Sequence, residues 1–81
     1  MKIMFVPRVE KALADAPAEV RRAFGKQVHN LEQNLLHPSL HAKKYDEARN
    51  RWQARVTRDW RFYFTIVGDT YVILDVIAHP K

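Results

Sequence analysis

From residue 51 onward, hydrophobic side chains recur at every second position in three successive stretches, and this period limits the chain more than any other feature. Trp52, Ala54 and Val56 alternate with Gln53, Arg55 and Thr57. Trp60, Phe62, Phe64 and Ile66 alternate with Arg61, Tyr63, Thr65 and Val67, and Val72, Leu74, Val76 and Ala78 with Tyr71, Ile73, Asp75 and Ile77. Only an extended backbone sends alternate side chains to opposite faces, so each stretch is a predicted strand. Turn signals at Arg58-Asp59 and Gly68-Asp69 leave so little chain between them that neighbouring strands must form antiparallel hairpins.

The pattern before residue 37 is helical. Ile3-Met4-Phe5-Val6 reads as a short edge strand, and Pro7 presets the backbone for the first turn of a helix over about 8–15 with Val9, Leu13 and Ala16 on one side. Pro17 breaks that run and opens a second helix, expected over 17–36, whose Val20, Phe24, Val28, Leu31 and Leu35 form the longest apolar stripe in the chain. Gly25 within it costs about 1 kcal/mol relative to Ala, which a stripe packed on a sheet outweighs. His37-Pro38-Ser39 stops the helix, and the stretch to Asn50, with Lys43, Lys44 and Arg49, reads as a basic loop. There is no repeat, linker or low-complexity segment, so residues 1–81 read as one α+β domain: a short N-terminal strand and a two-helix hairpin packed on an antiparallel sheet with three C-terminal strands.

Composition narrows the function. A chain of 81 residues has no room for a two-lobed enzyme, and 47% hydrophobic with 28% charged residues is the balance of a folded globular protein. No apolar run approaches the roughly 18–20 residues of a membrane span, and Ile3–Val6 is shorter than the ~7–15 of a signal-peptide core, so a cytoplasmic protein is expected. The absence of cysteine excludes disulfides, thiolate nucleophiles and Cys-based zinc sites. A net charge of +5 favours polyanionic partners, and the basic excess is concentrated in residues 43–61, which hold seven of the 14 Lys and Arg.

Loop length decides which side chains share a face. Three-residue loops, Thr57-Arg58-Asp59 and Gly68-Asp69-Thr70, put Val56 opposite Trp60 and Val67 opposite Tyr71, so that parity is kept across all three strands. The even face, from Trp52 and Trp60 to Val76 and Ala78, is then uniformly apolar and receives the helices; both indoles read as packing residues. The odd face gathers Gln53, Arg55, Arg61, Tyr63, Tyr71, Ile73, Asp75, Ile77 and, just past the last strand, His79. Two-residue loops would mix the faces and place Arg among core aromatics at high cost.

On this register Arg55 and Arg61 lie opposite each other, an arrangement that like charges disfavour. Screening by solvent and pairing with Asp75 would make it ordinary surface. The sharper reading is a phosphate site, because guanidinium offers a planar fork of donors and stays charged. Tyr63 and Tyr71 would stack on unpaired bases, and His79 is either a solvated terminal residue or an acid or base for proton transfer near neutral pH. Lys43, Lys44, Gln53 and Arg58 complete the set of expected RNA contacts. His29, His37 and His41 lack the carboxylates or thiolates of a metal site and read as surface or capping residues, and Ser39, the only serine, sits in no nucleophile motif. No cofactor and no metal are expected.

These residues, in the order Leu36-His37-Pro38-Ser39-Leu40, Trp52-Gln53-Ala54-Arg55-Val56, Trp60-Arg61-Phe62-Tyr63-Phe64 and Val76-Ile77-Ala78-His79, resemble the RelE/ParE toxin superfamily of bacterial toxin–antitoxin modules over nearly the whole chain. The resemblance implies the toxin of a type II module which, in the RelE branch, cleaves mRNA in the ribosomal A site through attack by the 2′-OH. By position Arg55, Arg61 and Lys81 resemble the family's basic functional residues. Gln53 stands where the ribonuclease branch often has a further basic residue, which leaves His79 as the substitute acid or base. The ParE branch implies a DNA gyrase inhibitor on the same fold, and an inactive relative that only binds antitoxin is a further alternative. Either way a cognate antitoxin is implied, covering the aromatic and basic face with Ile73 and Ile77; mRNA and the ribosome are partners under the first reading alone.

Overall fold

A computed structural model describes residues 1–78; His79 and Lys81 lie outside the described residues. The chain runs β1 (Lys2–Phe5), α1 (Pro7–Asp15), α2 (Ala18–Gln33), a 3-10 turn at Pro38–Leu40, β2 (Lys43–Asp46), β3 (Arg51–Thr57), β4 (Trp60–Val67) and β5 (Thr70–Ala78). The strands form one sheet in the order β1-β5-β4-β3-β2, with β1 parallel to β5 and every other pair antiparallel. Both helices cover one face of it. No helix among the described residues is long and apolar enough to cross a membrane.

Pro7 occupies the first turn of α1, where its missing N–H is not needed, and α1 ends before Pro17 as expected. The Arg21 guanidinium reaches back to the Ala16 carbonyl and ties the two helices together at their junction. α2 buries Val20, Phe24, Gln27, Val28 and Leu31. It stops at Gln33 and does not continue to residue 36, because Asn34 turns extended and its Oδ1 accepts the Leu36 N–H at 3.0 Å, a local bond that competes with the next helical turn. Leu35 still packs against the core from outside the helix.

The core lies between α2 and the middle strands. Phe62 and Phe64 of β4 are fully buried, with Phe24 edge-on to Phe62 at 5.5 Å and Trp52 stacked on Phe64 at 6.0 Å. These contacts hold the strand that carries Arg61 and Tyr63 on its opposite face. Trp52 and Trp60 are half-buried against this cluster, in keeping with their expected packing role.

Three expectations change. Residues 43–46 form the edge strand β2 where a loop was expected; the Lys43↔Gln53 and Lys44↔Trp52 pairs are made by a segment too short and too charged to show a period. Both hairpin loops have two residues, since Thr57 pairs with Trp60 and Val67 with Thr70. The parity that two-residue loops would scramble is corrected by bulges. In β3 the extra residue is Val56, which restores Arg55 opposite Arg61. In β5 it is Leu74, between Tyr63↔Asp75 and Phe64↔Ile73. On the loop side of Leu74 the faces are therefore exchanged: Tyr71 and Ile73 point into the core, and Val72 and Leu74 are only half-buried.

Candidate functional site

The outward face of the sheet carries two cross-strand rows. One runs Lys43, Gln53, Tyr63, Asp75 from β2 to β5; the next runs Arg55, Arg61, Ile77. Where these rows meet the chain leaving the 3-10 turn, His41, Ala42, Lys43, Gln53, Arg55 and Arg61 line a concavity of about 480 Å³. Its walls therefore come from that segment, from β3 and from β4.

The two arginines are held differently. Arg61 Nη1 donates to the carbonyls of Thr57, Trp60 and Arg58 at 2.8, 2.9 and 3.1 Å, so one edge of its guanidinium is fixed to the end of its own hairpin while the remaining N–H groups stay available. Arg55 Nε is buried and has no hydrogen-bond partner. The ion pairs of the described residues, Lys2–Asp69, Arg8–Asp75 and Arg49–Asp46, involve neither arginine. Asp75, considered above as their counter-ion, is taken by Arg8 at 3.7 Å. Two like charges placed opposite each other with a donor left unsatisfied are unfavourable in an empty site and favourable around an anion.

Tyr63 stands beside this concavity, half-buried, with its ring edge-to-face against Tyr45 at 5.4 Å. The tyrosine pair forms one side of a second, larger concavity of about 550 Å³, whose rim carries Arg51 and Arg8 and whose apolar wall is Leu74 and Ile77. The two concavities adjoin along the Gln53–Tyr63 pair.

The remaining expected residues fall in different places. Tyr71 is 4% exposed, meets Phe64 edge-on at 5.6 Å, and burial raises its hydroxyl above the ordinary value of 10.0. It is a core residue and unavailable to a base; the Leu74 bulge turned it inward. Ile73, expected to be covered by an antitoxin, is fully buried for the same reason. Lys44 pairs with Trp52 and lies over its indole at 5.4 Å, on the helix side of the sheet and away from the arginines. Arg58 is exposed in the β3–β4 turn. His37 is a capping residue, its Nδ1 accepting the Ser39 N–H at 3.2 Å.

Tyr45 has no face in the sequence because its segment reads as loop, and Arg51, the first residue of β3, comes before the first Trp52–Gln53 alternation that assigns faces. Gln27 was missed too, although its position on the Phe24–Leu31 stripe was a visible signal: a polar residue interrupting an apolar row must be satisfied where it is buried.

No protein-family model matches the sequence, and no curated protein matches it. Solved structures do. The archaeal RelE–RelB complex from Pyrococcus horikoshii OT3 is similar with a TM-score of 0.83 and 19% identity over 99% of this chain and 96% of that one. The YoeB/ParE toxin from Agrobacterium tumefaciens is similar with a TM-score of 0.81 and 13% identity, covering 99% of this chain and all of the other. The RelB–RelE antitoxin–toxin complex from Methanococcus jannaschii gives 0.77 and 20% over 93% of this chain and 88% of that one. Two helices on one face of a five-stranded sheet are thus a fold that this chain shares with the RelE and YoeB/ParE toxins of those structures.

Proposed function

We propose that this protein is the toxin of a type II toxin–antitoxin module and that it cleaves mRNA, on the ribosome, through attack of a ribose 2′-OH on the adjacent phosphate. The observation that carries the reading is the Arg55–Arg61 pair, aligned across two strands in a basic concavity, with no carboxylate partner among the described residues and with Arg55 Nε unsatisfied. The fold adds support, since the similar structures are toxins, two of them in complex with RelB.

In this reaction the 2′-oxygen bonds to phosphorus and the bond to the 5′-oxygen breaks, leaving a 2′,3′-cyclic phosphate and a 5′-hydroxyl. One proton leaves the 2′-OH and one reaches the departing oxygen. The two guanidiniums offset the charge that builds on the non-bridging oxygens, the role in which fixed donors contribute most. His79, next in sequence after Ala78, serves as acid or base, and Lys81 adds a positive charge. Lys43, Gln53 and Arg58 contact the backbone on either side, and Lys44 would reach only RNA that wraps the β2 edge. Tyr63, with Tyr45, is the platform for a base next to the scissile phosphate. An antitoxin would cover the same face, burying the exposed Tyr45 and Ile77.

Arg61→Ala tests the reading. Cleavage of mRNA and growth inhibition should fall by roughly 100-fold or more, the loss typical of one charge-stabilising donor, while the protein stays folded. Full activity in this variant overturns the site. Mapping RNA ends after induced expression tests the reaction itself: new ends bearing cyclic phosphate are expected. DNA-damage signalling without new ends would point instead to gyrase inhibition.

A further inference from the structure

The Gln27 side chain is 7% exposed, the one polar residue in the buried set among the described residues, and its four hydrogen bonds reach β3 at Arg55, the 3-10 turn at Ser39 and Asn30 of its own helix. Its Nε2 donates to two backbone carbonyls, that of Ser39 at 3.0 Å and that of Arg55 at 2.9 Å. Its Oε1 accepts from Asn30 Nδ2 at 2.8 Å and from Ser39 Oγ at 3.0 Å. The amide is saturated, and its orientation is fixed from both ends.

The place of these bonds matters. Arg55 is the last residue of β3 in regular register before the Val56 bulge, where the ladder to β4 is interrupted and the strand bends. A strand at a bulge has fewer ladder bonds to define its direction, and here a helix side chain supplies one. Ser39 lies two residues before His41, whose left-handed backbone at φ 46° starts the segment that carries His41, Ala42 and Lys43 along the concavity. One carboxamide nitrogen therefore holds both β3 and the 3-10 turn, and through the Arg55 carbonyl it fixes the backbone from which the Arg55 guanidinium projects.

We infer that Gln27 is a positioning residue for Arg55: it anchors the bulged backbone of β3 to the turn opposite, and so sets where the Arg55 guanidinium stands relative to Arg61. This rests on the nuclease reading only for its kinetic consequence; the geometric consequence is independent of it. Gln27 touches no substrate in this account. Removing its donors frees the Arg55 backbone at the bulge while leaving both arginines, and hence most of the attraction for RNA, in place.

The test is Gln27→Leu, which keeps the volume and removes every hydrogen bond, measured in the full chain by single-turnover cleavage of mRNA bound to ribosomes and by backbone NMR. The maximal cleavage rate should fall about tenfold or more with half-saturation changed less than about twofold. The cross-strand contacts between the backbones of residues 55 and 61 should weaken, and amide exchange at residues 55–57 should speed up. A purely structural residue would lower the melting temperature and move none of these; unchanged 55–61 contacts with an unchanged rate overturn the inference. Should Gln27→Leu fail to fold, Ser39→Ala removes only the hydroxyl that orients the amide, and a several-fold loss of rate with the same NMR changes is then expected; wild-type behaviour in both overturns the inference. If the wild-type protein cleaves no RNA, the nuclease reading fails, and the NMR result alone decides the role of Gln27.

Discussion

The β3–β4 and β4–β5 hairpins solve the same problem with different results. Each has a two-residue loop and each carries one extra residue, but in the first the extra residue, Val56, sits directly beside the loop, and in the second Leu74 sits halfway along the strand. A bulge beside the loop corrects parity before the ladder begins, so every pair from Arg55–Arg61 onward has the faces that alternation predicts. A bulge in mid-strand corrects only what lies beyond it. Asp75, Val76 and Ile77 therefore face as expected, while Tyr71 and Ile73 are exchanged with Val72 and Leu74. The loops differ as well. Gly68, the first residue of its loop, has φ +59°, as a twist-matched primed turn of the Gly-first kind requires, whereas neither Arg58 nor Asp59 adopts positive φ. The first hairpin thus meets the strand twist with a turn of the wrong hand and a bulge next to it. What differs is the distance from loop to bulge, and that distance decides which aromatic reaches solvent.

Substitution of the two tyrosines separates the halves of β4–β5 most strongly. Tyr71→Ala should destabilise the fold by about 3–5 kcal/mol, the cost of an aromatic removed from a core. Tyr63→Ala should cost under about 1 kcal/mol in stability and weaken RNA binding by about 1–3 kcal/mol, the worth of one stacked base. Denaturant melts and RNA titrations of the pair check this; equal destabilisation would contradict the register. Deletion of Leu74 comes next. Because Leu74 is the unpaired residue, removing it leaves Phe64 opposite Ile73 and Tyr63 opposite Asp75 and should cost only about 1–2 kcal/mol of half-buried side chain in a denaturant melt; loss of folding would contradict the bulge. Gly68→Ala is the smallest. No atom beyond the adjacent residues lies within 4 Å of the added Cβ, so the loss of about 1 kcal/mol comes from positive φ alone and should leave cleavage unchanged.

Much of the site was readable because it depends on short-range rules. The helical stripe from Val20 to Leu31 and the alternation of β3 and β4 follow from side-chain period, and they place Arg55 and Arg61 together whether the loop has three residues or two with a bulge. Tyr45 was hidden because β2 is four residues long, charged, and stabilised by pairing with β3 more than by its own pattern. Tyr71 was misplaced because a bulge leaves no mark on an alternating row: Tyr71, Ile73 and Val72, Leu74 are apolar enough on either face for both registers to be acceptable.

The sequence by itself determined the element types, the apolar face that the helices cover and the alignment of two arginines across a hairpin, since each follows from contacts between near neighbours. Tertiary structure decided the rest. The position of the second bulge, the strand made from a charged loop and the capture of the Arg55 carbonyl by Gln27, 28 residues away, all depend on which distant backbone groups need partners once the sheet is closed against α2. That demand exists only in the assembled fold, where the backbone has left water and every donor and acceptor must be met within the protein.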